Sequence, residues 1–126
     1  MQQPPINFTP HVTQIQYLAW PDHGVPEDYD DFIQMVTLLR KKRNQVDNQS
    51  NQQQKVCVHC SAGIGRTGVL ISVETAMNQI EQGLKLDPKN VLIQMRLQRA
   101  QMVQKQQQYV FSIKALLKWY EDFCNR

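Results

Sequence analysis

The sequence predicts a small α/β domain, and three observations predict it. A β-branched run at residues 55–59, Lys-Val-Cys-Val-His, has the length and composition of a buried central strand. It feeds into a glycine-rich loop, after which apolar residues recur at helical spacing. Upstream, Thr13, Ile15, Tyr17 and Ala19 alternate with Gln14, Gln16 and Leu18, the period of a second strand. Strands alternating with helices bury their faces in layers, which is the α/β arrangement.

Each element has its own justification. Residues 1–10 hold three prolines and little apolar periodicity and read as an extended leader, with the domain running from 11 to 126. Pro21-Asp22-His23-Gly24 stops the first strand. From Asp28, the residues Tyr29, Phe32, Ile33, Val36 and Leu39 mark a helix with acids in its first turn and Arg40 to Arg43 in its last, as the macrodipole favours. That basic run reads as a solvated helix end. Residues 44–54, almost entirely Asn, Gln, Ser and Asp, read as a low-complexity loop with nothing to bury. After the strand and glycine loop, a helix is apolar at Val69, Leu70, Val73, Ala76, Met77 and Ile80. Asp87-Pro88 supplies a cap and first-turn proline for a third helix carrying Val91, Leu92 and Met95. A last helix offers Tyr109, Val110, Ile113, Leu116, Leu117, Tyr120 and Phe123 as its core face.

Composition narrows the function classes. A length of 126 residues is that of one domain. With 41% hydrophobic and 20% charged residues, it is neither collagen-like, fully disordered nor a disulfide scaffold. Fourteen basic against 11 acidic residues give +3, short of a nucleic-acid-binding balance, so no nucleic-acid partner is expected. The apolar run at 68–71 is far below the roughly 20 residues a bilayer span needs, so membrane insertion is not expected. The first residues, Met-Gln-Gln-Pro-Pro, lack the basic and apolar regions of a secretory signal, and three cysteines suit a reducing compartment. The expected location is the cytoplasm; composition is silent on oligomeric state.

The chemistry gathers at residues 57–68, Cys-Val-His-Cys-Ser-Ala-Gly-Ile-Gly-Arg-Thr-Gly. Cys57 and Cys60 form C-x-x-C and His59 adds a ligand type, but Cys57 and His59 would share one strand face and no second ligand cluster exists, which makes a poor zinc or redox site. Gly63, Gly65 and Gly68 fit G-x-G-x-x-G, yet Asp87 precedes a proline and looks like a helix cap, not the ribose acid of a dinucleotide site. A phosphate cradle accounts for every position. Successive backbone N–H groups between a strand and a helix N-terminus suit a tetrahedral oxyanion, and the glycines permit the curl. Beside those donors the Cys60 thiol would fall from near 8.5 into the range of about 3.5–7.5, making a nucleophile at neutral pH. Arg66, five residues on, can hold two phosphate oxygens in a fork that lysine cannot reproduce.

Residues 59–68, HCSAGIGRTG, resemble the signature of the protein tyrosine phosphatases. Trp20-Pro21-Asp22-His23-Gly24-Val25-Pro26 is similar to that family's mobile general-acid loop, and Gln98-Arg99-Ala-Gln-Met102-Val103-Gln104 with Gln108-Tyr109 is similar to its glutamine loop. The resemblance spans residues 12 to about 123, and Glu74-Thr75-Ala76-Met77 is similar to the cytoplasmic branch that carries FERM and PDZ modules. It implies the downstream part of the family's catalytic domain, with the upstream loop that grips the phosphotyrosine ring and several strands outside the match. It further implies hydrolysis of phosphotyrosine-containing proteins through a cysteinyl phosphate, with no metal and no cofactor.

The implied roles fall on particular residues. Cys60 is the nucleophile, Asp22 the general acid and then base, and Gln104 the residue that holds the hydrolytic water. Thr67 donates to the sulfur. Ser61, Ala62, Gly63, Ile64, Gly65 and Arg66 cradle the phosphate, with Gln108 in support. His59 braces the loop from a buried strand end, and Trp20 is either core or hinge of the acid loop. Arg96 and Arg99 support the loops by ion pairing, while Cys57 and Cys124 read as buried small hydrophobes. Two positions depart from the family pattern: Lys105 stands where Thr is usual, and Gln101 where some members have Gly. The rival reading is a truncated or divergent module that binds phosphotyrosine or protein partners with little or no turnover.

Overall fold

The structure, a computed structural model, describes residues 11–21, 23–50 and 55–125. Four helices follow one another: α1 (Tyr29–Ser50), α2 (Arg66–Glu81), α3 (Pro88–Gln98) and α4 (Gln106–Cys124). Central α2 packs on α4, α3 and α1, and α1 also meets α4. The core draws Phe32 and Val36 from α1, Val69, Val73, Ala76, Met77 and Ile80 from α2, Val91 and Met95 from α3, and Phe111, Ala115, Leu116 and Trp119 from α4.

Both strand expectations need correcting: no strand is formed among the described residues. A strand is defined by its ladder, and neither segment meets a partner chain segment to build one. Residues 11–20 nevertheless keep the alternation, with Ile15 and Tyr17 half-buried between exposed neighbours. Residues 55–59 are not a buried core: Val56 is 42% exposed, Cys57 is exposed, and Val58 is half-buried. Val56 and Val58 line an open hollow of about 220 Å³ with Leu39 and Arg43 of α1 and Leu70, Ile71 and Glu74 of α2. Cys124, also expected in the core, is exposed at the end of α4.

Helix α1 starts as expected, with Asp28 Oδ1 accepting from the Asp30 N–H (2.8 Å) and acids in the first turn. It then runs on through Asn44–Ser50, so the low-complexity loop is corrected to helix as far as Ser50; residues 51–54 lie outside the described residues. Exposed Gln and Asn side chains bury nothing, but the backbone ladder needs no burial to continue. The basic run therefore sits mid-helix, and two of its members are not simply solvated. Arg40 bonds Asn78 Oδ1 (3.0 Å) and pairs with Glu81, and Arg43 pairs with Glu74. Glu74 also accepts from Asn78 Nδ2 (2.9 Å), so these polar groups fasten α1 across α2.

Helix α2 buries the apolar stripe expected of it, except that Leu70 is only half-buried. Asp87 caps α3 by accepting from the Asn90 N–H (3.2 Å), and Pro88 occupies the first turn. In α4 the core face is rotated by about one residue from the expected one: Gln108, Phe111, Ser112, Ala115, Leu116 and Trp119 are buried, while Val110, Leu117 and Tyr120 are exposed. Aromatic packing selects that face. Phe111 lies 5.2 Å from Phe32 and 5.6 Å from Trp20 between ring centroids, both edge-on, and Tyr17 reaches Trp20 and Phe32 at 6.4 and 6.2 Å. The same cluster pins the extended segment 11–21 against α1 and α4, which delivers Trp20 and Pro21 to the end of α2 where Cys60 sits.

Candidate active site

Cys60 opens the loop that ends at the N-terminus of α2, and local backbone chemistry surrounds its sulfur with donors. Sγ accepts from the Gly63 N–H (3.3 Å) and the Thr67 hydroxyl (3.1 Å). Burial alone would raise the thiol. The Thr67 hydroxyl and the backbone amides of Thr67, Gly63 and Ile64 outweigh it and bring the group down to about 7, so near-neutral pH populates the thiolate. The turn needs Gly63, whose φ of 76° lies in the left-handed region.

Two other glycines serve close approach. A Cβ on Gly65 would stand 2.8 Å from Gln108 Nε2, and one on Gly68 would stand 2.4 Å from the backbone nitrogen of Val103. The Cys60 loop and α2 therefore lie directly against the loop at 99–105. The Val103 N–H donates to the Ile64 carbonyl (2.8 Å), a backbone bond joining the two loops. On the other side, Arg99 Nη2 donates to the Ala62 carbonyl (3.3 Å).

The loop at 99–105 is itself held from within. Buried Gln108 uses its carbonyl oxygen to accept from the Gln104 and Lys105 N–H groups, both at 3.0 Å, so this side chain caps α4 and shapes the turn before it. Arg96 donates from Nε to the Met102 carbonyl (2.9 Å) and from Nη2 to the Val103 carbonyl (2.8 Å). Gln101 and Val103 both adopt positive φ, 66° and 63°, a conformation that a β-branched residue such as Val103 rarely takes.

The structure thus brings together Cys60, Gly63, Ile64, Gly65, Thr67 and Gln108, with Ser61 and Ala62 on the exposed rim. Arg66 engages the segment ahead of residue 22: Nη2 donates to the Pro21 carbonyl (3.2 Å), and the guanidinium lies 5.9 Å from the Trp20 ring centroid. Trp20 is both half-buried core and part of that loop, its Nε1–H donating to the Gly24 carbonyl (3.2 Å). Asp22 lies outside the described residues. Gln104 is exposed one residue beyond Val103, and His59 is exposed, not buried at a strand end. Arg96 and Arg99 act through backbone carbonyls, which corrects the ion-pair expectation. Their expected place as supports of the loops stands; their partners are carbonyls instead of carboxylates.

Comparison with known proteins gives the family. The family model for protein-tyrosine phosphatase matches residues 3–118. Human tyrosine-protein phosphatase non-receptor type 4 is 51% identical over 111 residues, covering 88% of this chain and 11% of that protein. The mouse protein of the same name is 48% identical over 116 residues, 92% of this chain and 12% of its own length. Tyrosine-protein phosphatase 1 of Caenorhabditis elegans is 47% identical over 111 residues, 88% of this chain and 10% of that protein. The chain belongs to the protein tyrosine phosphatase family. It spans about a tenth of the length of these relatives. No helix among the described residues is long and apolar enough to cross a membrane.

Proposed function

We propose that the chain carries the phosphate-transferring part of a protein tyrosine phosphatase and hydrolyses phosphotyrosine in cytoplasmic proteins. The observation that carries the reading is the Cys60 sulfur at the start of α2, held by the Thr67 hydroxyl at 3.1 Å and the Gly63 amide at 3.3 Å with its thiol lowered to about 7.

The thiolate attacks phosphorus, and the Sγ–P bond forms as the bond to the tyrosyl oxygen breaks. Asp22 gives its proton to that leaving oxygen. Backbone N–H groups of residues 61–66 and the Arg66 fork hold the three remaining phosphate oxygens, which keeps phosphorus in line with sulfur. Water, placed by Gln104, then bonds phosphorus while Asp22 takes its proton and the Sγ–P bond breaks. The thiolate leaves readily because the Thr67 hydroxyl receives it. Arg66 has a second task, because its contacts with Pro21 and Trp20 tie the cradle to the segment that bears Asp22.

A second reading, a weakly active or inactive module that binds phosphotyrosine or protein partners, is favoured by the open hollow beside Val56 and Val58. Rapid mixing with an aryl phosphate followed by denaturing quench separates the two. The catalytic reading expects a phosphoryl group on the Cys60 peptide by mass spectrometry. A folded chain that binds phosphotyrosine peptide and never shows the adduct supports the module instead.

A further inference from the structure

Val103 is a β-branched residue at φ 63°, and its peptide neighbours are secured on three sides. Its amide donates to the Ile64 carbonyl at 2.8 Å, its own carbonyl accepts from Arg96 Nη2 at 2.8 Å, and the carbonyl before it accepts from Arg96 Nε at 2.9 Å. Gly68 presses on the same amide, where a Cβ would come within 2.4 Å. A backbone held in so rarely populated a conformation persists only where its surroundings over-determine it. The forked side chain that spans both carbonyls comes from α3, outside both loops, and bonds each carbonyl directly.

We propose that Arg96 is a positioning residue for the Cys60 loop. By gripping the Met102 and Val103 carbonyls it keeps Val103 in its left-handed conformation, and the Val103 amide in turn fixes the Ile64 peptide beside the Cys60 sulfur. The same grip sets the path of the backbone into Gln104, so one arginine aligns the cradle and the residue proposed to place the hydrolytic water. The inference rests on the phosphatase reading for its catalytic consequence, but its structural core does not.

The test uses the whole chain and the variants R96K, R96A and V103G, each checked for helix content by circular dichroism. The first readout is the pH profile of iodoacetamide alkylation at Cys60, followed on its own peptide by mass spectrometry. The second is amide hydrogen exchange at Val103 and Gln104. R96A is expected to move the alkylation midpoint up by half a pH unit or more and to speed exchange at both amides at least tenfold, with R96K intermediate because it keeps charge without the fork. V103G adopts the same φ without strain, so adding R96K to it is expected to shift the midpoint less than R96K does alone. A folded R96K or R96A with wild-type midpoint and wild-type exchange overturns the proposal. Should R96A not fold, R96K and the V103G pair decide it by the same criteria. If wild-type Cys60 itself titrates like a free thiol, the phosphatase reading is what fails, and exchange at Val103 and Gln104 still reports whether Arg96 holds the loop.

Discussion

Replacing Gly68 with Ala sets two effects of opposite sign against each other. In a helix interior the change is normally favourable by about 1 kcal/mol, because alanine has less backbone freedom to lose. Here the new Cβ would stand 2.4 Å from the Val103 nitrogen and 3.2 Å from both the Met102 carbonyl carbon and the Val103 Cα. All three are backbone atoms, so no side chain can swing away. The loop at 102–103 has to move off α2 by roughly an ångström, and overpacking of that kind costs ~1–3 kcal/mol. Movement also stretches the 2.8 Å bond from the Val103 N–H to the Ile64 carbonyl, and a buried donor left unpaired adds ~1–3 kcal/mol. The net expectation is a loss of about 1–5 kcal/mol, seen as a fall in Tm on the order of 10 °C. Gly83→Ala is the control: φ there is 82° but nothing lies within 4 Å, so only the local backbone cost of ~1 kcal/mol applies. Urea denaturation of both variants beside wild type measures the difference. If G68A matches or exceeds wild type in stability, the close approach of α2 to the 99–105 loop is not what positions the Cys60 loop.

Further predictions concern the thiol, the strained turn and the acid. Thr67→Val removes the hydroxyl 3.1 Å from Sγ, so the alkylation midpoint of Cys60 rises above its value of about 7. A thiol lowered in the folded chain makes stability grow with pH from about 7 toward 9 and lose that share as pH falls through 7; denaturation midpoints across this window should show a shallower rise in T67V. Gln101→Gly relieves a positive φ of 66° at an exposed position and should raise stability by about 0.5–1 kcal/mol in chemical denaturation. Asp22→Ala should lower phosphate release from a phosphotyrosine peptide by about 10²–10⁴, the usual worth of a positioned general acid. A change under threefold would remove Asp22 from that role.

The sequence is most legible where the physics is local. Asp87-Pro88 marked the start of α3 because an N-cap and a first-turn proline act within one turn, and the stripe from Val69 to Ile80 marked α2 because its burial follows from spacing alone. The string around Cys60 was legible because each residue type in it has a chemical reason at that spacing. What escaped depends on partners far along the chain. Val56 and Val58 could not reveal whether a ladder forms, since that requires another segment. Helix α4 carries two apolar stripes, and partners distant in sequence, Phe32 and Tyr29 of α1 with Trp20, pack on Phe111 and select its face over that of Val110 and Leu117. Asn44–Ser50 looked like a loop because a solvated helix and a solvated loop have similar composition. Arg96, Arg99 and Gln108 were legible as supports of these loops, but not that they bond backbone groups of the turns, because such partners leave no side-chain pattern.

The central claim is that Cys60 is a nucleophile toward phosphotyrosine, and phosphate release by the purified chain beside Cys60→Ser tests it most directly. The account predicts multiple turnovers of a phosphotyrosine peptide in reductant and chelator, abolished in C60S while its circular dichroism and melt stay as in wild type. Release that persists in C60S, or a folded wild-type chain that binds the peptide and releases nothing, would contradict it.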